Sequence, residues 1–92
     1  MTISINSFKE LCDLFGHVIS DQLPNLVKNR IEEYSEIQYV APEERGHLTM
    51  QANYKISSFS DIDIQRLENF INEDETISNL VQGRQIKISK KL

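Results

Sequence analysis

Cys12 and His17 lie five residues apart, and a thiol beside an imidazole is the pairing that can make a thiolate nucleophile. Here the thiol is on the wrong side. Cys12 belongs to an apolar stripe at helical spacing with Phe8, Leu11, Phe15, Val18 and Ile19, so it is expected in the core as a structural cysteine. His47 is the second of two histidines and opens a strand at its polar end. Without a CxxC or HExxH spacing, a zinc centre has little to build on. Asp61 with Asp63, and the run Glu73, Asp74, Glu75, could offer carboxylates to a metal. Both groups fall at expected helix ends, where the helix dipole and capping account for them. No G-x-x-x-x-G-K-S/T, G-x-G-x-x-G or G-x-S-x-G occurs, and three glycines are too few for such loops. The residues point to a chain that is not an enzyme and needs no cofactor or metal.

What remains is charge. All 14 acidic residues lie between Glu10 and Glu75, while residues 76–92 carry Arg84, Lys87, Lys90 and Lys91 and no acid. Residues 1–75 hold six bases against 14 acids, a net of −8; adding the +4 of the tail gives the overall −4. A second acid-free interval runs from Arg45 to Ser60. Both intervals contain expected strands. If those strands share a sheet, Thr49, Gln51, Asn53 and Lys55 join Gln85, Lys87 and Ser89 on one face suited to phosphates and polar backbone. The alternative is that strand exteriors are polar because they are wet, with terminal lysines guarding an edge. Arg30, flanked by Lys28, follows Val27 by three and precedes Tyr34 by four, which places it in or beside an apolar stripe. Its stem is then buried with the guanidinium in solvent, or it binds a partner. The candidate partner- or RNA-binding set is therefore Lys28, Arg30, Lys55, Arg84, Lys87 and Lys90, with Glu32 and Glu33 as candidate protein-binding acids.

These side chains must be positioned by a small number of elements. Ser7 and Glu10 have the form of a capping box ahead of a helix over 8–20, with Gly16 costing on the order of 1 kcal/mol inside it. Pro24 predicts a turn and the start of a second helix that buries Leu23, Leu26, Val27, Ile31 and Tyr34. Unbroken alternation over 47–56 and a shorter run over 37–41, joined through "PEERG", predict an antiparallel hairpin. Phe59, Ser60, Asp63 and Ile64 combine a hydrophobic staple with a capping box for a helix over 61–73, burying Ile64, Leu67, Phe70 and Ile71. Residues 75–82 suit a short helix closed by Gly83 at C′, or else a strand; the helix is the favoured reading. Ile86 and Ile88 then alternate with Gln85, Lys87 and Ser89 in a last strand. The sum is one domain, 1–92, of α+β class: an antiparallel sheet of about three strands with helices packed on one face. Tyr54 shares the core parity of its strand, so the sheet lacks the paired aromatics that an RNA-recognition motif stacks on bases.

With 92 residues, 39% hydrophobic and 26% charged, the chain has enough apolar residues for a modest core, and no run approaches the roughly 18 needed to span a membrane. "MTISINSFKE" does not read as a signal peptide, and a single cysteine fits a reducing compartment, so cytoplasm is expected. Taken as a whole string, with "MTISINSFKELCDLFGHVISDQLPNLVKNR" its most characteristic part, the chain resembles the small phage-encoded anti-CRISPR proteins directed at type I-F systems. The resemblance is not carried by a motif and assigns no residue a role. It implies a stoichiometric inhibitor in the host cytoplasm that binds the RNA-guided surveillance complex, Cas proteins on a guide RNA, and blocks target DNA recognition. Acidic helices would then meet basic Cas surfaces, and the basic strand with Arg30 would meet guide-RNA phosphate. A pure DNA mimic would need only the acidic lobe. The alternatives are a small regulatory or toxin-neutralising domain that binds one protein through its acidic helices, and a structural subunit that oligomerises through its terminal strand.

Overall fold

"TISI" at the start of the chain alternates polar and β-branched apolar residues, and in the computed structural model it forms the strand β1 (Thr2–Ile5). The other strands are β2 (Val40–Pro42), β3 (Asn53–Ile56) and β4 (Ile88–Lys91). The helices are α1 (Phe8–Phe15), α2 (His17–Glu33), α3 (Asp61–Asn72) and α4 (Glu75–Leu80). The structure describes residues 2–34, 40–42, 53–56 and 60–91.

The sheet order is β2-β3-β1-β4, and every neighbouring pair is antiparallel. The chain is thus the expected α+β domain, and β1 adds a strand to the three expected. With α1–α2 as one broken helical unit and α3–α4 as another, the order is βαββαβ: two interleaved split βαβ units. Ile3, Ile5, Tyr54, Ile56, Ile86 and Ile88 turn one sheet face towards the helices. They bury with Leu23, Val27, Ile31, Leu67, Ile71 and Ile77 in a single core. The Tyr54 hydroxyl, the one polar atom that this row of strand side chains carries inward, donates to the Pro24 carbonyl at 2.9 Å.

Three local expectations need correction. The expected helix over 8–20 ends at Phe15, because Gly16 takes φ +83°, a backbone that only glycine adopts cheaply, and its N–H closes α1 on the Cys12 carbonyl. α2 then starts at His17 and runs through Pro24 rather than from it. The interior proline, itself buried, costs about 3 kcal/mol in an isolated helix through its missing N–H and the clash of its ring with the preceding turn, against which stands the burial of Ile19, Leu23, Val27 and Ile31 along the same face. The capping box expected of Ser7 and Glu10 does not form. Ser7 sits at φ +57°, makes no side-chain cap bond, and turns the chain out of β1.

The second half follows expectation at its helix starts, but the last strand, expected from Gln85, begins at Ile88, and the expected C′ glycine is displaced by one residue. Ser60 and Asp63 form a reciprocal capping box at α3, and Asp74 accepts from the Ile77 N–H to start α4. Gln82 N–H to Asn79 O at 3.3 Å and Gly83 N–H to Ser78 O at 2.8 Å close α4 as a Schellman motif. The C′ position is therefore Gln82, at φ +53°, and Gly83 is C″. β2 and β3 pair antiparallel, with Pro42 on an edge strand where its missing N–H is tolerated; the rest of the expected hairpin, 37–39 and 43–52, lies outside the described residues. Phe59 of the expected staple, together with Thr49 and Gln51, lies outside the described residues.

α3 also seals the free edge of the β4 segment. Asn72 acts as a substitute strand: its Oδ1 accepts from the Ile86 N–H at 2.7 Å and its Nδ2 donates to the Ile86 carbonyl at 2.9 Å. One turn earlier, Glu68 Oε2 accepts from the Ile88 N–H at 3.1 Å. An edge that would otherwise invite pairing is thereby occupied.

Candidate functional site

Outward parity on the strands falls to Thr2, Ser4, Lys55 and Ser89, because Ile3, Ile5, Tyr54, Ile56 and Ile88 take the inward positions. The register sets these in rows across the sheet. Thr2 lies between Lys55 and Lys91, and Ser4 between Asn53 and Ser89. Asn6 and Lys87 extend the face beyond the strand ends, joined by Asn6 N–H to Lys87 O at 2.8 Å. Ser89 Oγ donates to Asn6 Oδ1 at 2.7 Å, which leaves the Asn6 Nδ2 as an outward donor. Among the described residues this face carries no carboxylate. Glu68 lies at its β4 edge, occupied by the Ile88 N–H and by Lys87 Nζ at 3.5 Å.

The structure divides the sequence-derived candidates into two groups. Lys55 and Lys87 are exposed on or beside the acid-free face, each with a partner of its own, Glu68 at 3.5 Å in the case of Lys87, and Arg84 is exposed just before it. Lys28, Arg30, Lys90, Glu32 and Glu33 are engaged within the molecule. Lys28 Nζ binds Glu32 Oε1 at 2.7 Å, one turn along α2. Arg30 stacks 3.7 Å over the Phe70 ring, donates from Nε to the Phe70 carbonyl at 2.9 Å, and reaches Glu33 at 3.2 Å. Tyr34 meets the same ring edge-on at 5.4 Å between centroids. This arginine fastens α2 to α3. Lys90 has inward parity, opposite Ile3, and pairs with Asp61 at the start of α3 at 2.7 Å. By contrast Glu10, Asp13 and Asp21, on α1 and the first turns of α2, are exposed and make no ion pair among the described residues.

Beside the face lies a cleft of about 410 Å³ between the first turns of α1 and the 84–87 segment. It is lined by Asn6, Ser7, Glu10, Leu11, Leu14, Arg84, Gln85 and Lys87. Its charge is Arg84 and Lys87 against Glu10. Leu14, 55% exposed, is the large apolar group it presents to solvent. Sequence reasoning missed most of this cleft, because Ser7 and Glu10 read as a helix cap and the segment before them was given no strand. The available signals were the β-type alternation of "TISI" and Leu14 itself, a large apolar residue off the α1 stripe.

Cys12 is buried, and desolvation first, then the neighbouring Asp13 charge, pushes its thiol above the ordinary value. That is the reverse of what a nucleophile needs. Among the described residues no three His, Cys, Asp or Glu side chains are grouped to hold a metal, and no helix is long and apolar enough to cross a membrane. No known protein family, curated protein or solved structure matches this chain.

Proposed function

We propose that this chain is a non-enzymatic, stoichiometric inhibitor in the host cytoplasm that binds the type I-F CRISPR surveillance complex, Cas proteins on a guide RNA, and blocks target DNA recognition. The observation that supports it most directly is the sheet face of Thr2, Ser4, Lys55, Lys87 and Ser89, acid-free among the described residues, on a chain of net charge −4. Hydroxyls and lysines, with the Asn6 amide beside them, together suit phosphate and sugar oxygens. Glu10, Asp13 and Asp21, which make no ion pair among the described residues, lie on α1 and α2, on the helical side of the sheet. A partner with both a basic protein surface and an exposed RNA backbone would orient such a molecule before contact.

For the acidic contact we therefore prefer Asp13 and Asp21, which make no ion pair among the described residues, to Glu32 and Glu33, which are exposed but paired with Lys28 and Arg30. The test is capture of guide-RNA-loaded complex from a type I-F host, followed by identification of the bound proteins and RNA. Charge reversal of Lys55 with Lys87, and separately of Asp13 with Asp21, is expected to weaken capture by about tenfold or more, roughly 1.4 kcal/mol. Recovery of no Cas protein would overturn the reading, and loss from the acidic pair alone would remove its RNA half.

The same acids, with Leu14 and Val18 exposed near them, also suit a regulator of a single protein. Capture of one protein from nuclease-treated lysate, with no Cas subunit, would favour that alternative.

A further inference from the structure

We propose that the cleft between α1 and the 84–87 segment holds one unpaired nucleotide of a single-stranded nucleic acid, with its phosphate on Arg84 and Lys87 and its base against Leu14. The inference deepens the proposed function and rests on its reading of the sheet face as the surface that meets guide RNA. The cleft's volume of about 410 Å³ falls in the range of small-ligand sites, roughly 300–1,000 Å³, and is too small for a duplex.

The chemistry of the lining is divided as a nucleotide is. Arg84 is exposed and makes no side-chain ion pair among the described residues. Among the described residues Lys87 is held only by a 3.5 Å pair in which the lysine side chain is 63% exposed. Both cations are therefore available to a phosphate at little cost. Leu14 is a large apolar side chain left more than half exposed at the cleft wall. A base has an apolar face that would cover it, and inorganic phosphate does not.

The polar groups between them can read an edge. The Asn6 amide, with Oδ1 fixed by Ser89, presents donors, Gln85 presents both donor and acceptor, and Glu10 presents an acceptor for an amino or hydroxyl group. Glu10 also disfavours a second phosphate, so the strand must enter with one nucleotide splayed into the cleft. Asn6 and Lys87 belong to both the cleft and the sheet face. The flanking backbone then continues over Ser4, Ser89, Thr2 and Lys55. This continuity favours a nucleic-acid strand over an isolated acidic peptide.

The test uses the isolated full chain, labelled with nitrogen-15 and titrated with single-stranded hexauridylate RNA, the matching deoxy strand, and inorganic phosphate. Saturable shifts of the Ser7, Glu10, Arg84 and Lys87 amides with either strand are expected, with phosphate alone far from saturation at the same concentration. Arg84→Gln should weaken binding by about tenfold and reduce the log–log salt slope by about 0.7, the value for one phosphate contact on a single strand. Leu14→Ser, at an exposed site, should weaken strand binding and leave phosphate binding unchanged. Absence of shifts at about 1 mM strand, saturation by phosphate at the strand's concentration, or indifference to both substitutions would each overturn the proposal. Strand binding without capture of Cas proteins would leave the cleft standing and remove the proposed function. Capture of the complex by a chain whose cleft amides do not respond would do the reverse.

Discussion

Arg30 offers the sharpest test, because the sequence permits a partner-binding arginine and the structure employs it as a fastener. Its Nε bond to the Phe70 carbonyl, a charged donor on a part-buried acceptor, contributes about 1.5–3 kcal/mol. The stack at 3.7 Å from the Phe70 centroid adds about 1 kcal/mol at a partly desolvated site. The ion pair with Glu33, whose side chain is 61% exposed, and the 4.0 Å approach to Asp74 are discounted for solvent screening to a few tenths of a kcal/mol. Arg30→Ala should therefore cost about 3 kcal/mol. For a domain of this size that is a fall in Tm of roughly 12–24 °C, with the urea m-value unchanged because no additional surface is exposed on unfolding. Arg30→Lys keeps the charge and loses the planar fork, so about half the loss is expected. In a double-mutant cycle with Phe70→Leu, a coupling energy of about 1 kcal/mol should isolate the stack. On the proposed function, the Arg30→Lys protein should, below its own Tm, capture the surveillance complex to the same extent as the parent. A Tm within a few degrees of the parent for Arg30→Ala, or normal stability with loss of binding, would refute the reasoning.

Other perturbations test the parts that hold the face in place. Asn72→Ala leaves the Ile86 N–H and carbonyl without their edge partner and should cost about 1–3 kcal/mol, with faster hydrogen exchange at the Ile86 amide as its signature. Gln82→Gly relieves a left-handed residue at the end of α4 and should stabilise the domain by roughly 0.5–1 kcal/mol in urea unfolding. Cys12 has a raised folded pKa, so the stability owed to its neutral thiol is fully present below the ordinary thiol value of 9.0 and is lost as pH rises through the folded value. Cys12→Ala should flatten that alkaline limb, and an unchanged limb would refute the assignment. The Asp63 carboxyl is held below its ordinary 3.8, first by the Ser60 hydroxyl and then by the Ser60 N–H. Its stability is present above that value and lost as pH falls below it, so Asp63→Asn should show a shallower acid limb in thermal melts.

The amino-acid sequence by itself determined those features whose cause is local. The capping box of α3 needs only Ser60 and Asp63 three residues apart. The inward parity of Tyr54, Ile56, Ile86 and Ile88 needs only period-two alternation. The concentration of bases in acid-free strands is likewise a property of order along the chain.

Tertiary structure decided what depends on meeting a distant segment. The alternation of "TISI" over four residues is a weak signal by itself, and strand β1 forms because β3 and β4 flank it on both sides. α2 crosses Pro24 because its buried face, not its backbone propensity, sets its length. Which charges remain for a partner is also a three-dimensional fact. Arg30 is spent on Phe70, 40 residues away, and Lys90 on Asp61. Arg84 and Lys87 are brought beside Leu14 only because β1 carries α1 to the start of β4. Local spacing can state that a lysine faces outward, but a long side chain bonds to whatever the fold brings within its reach.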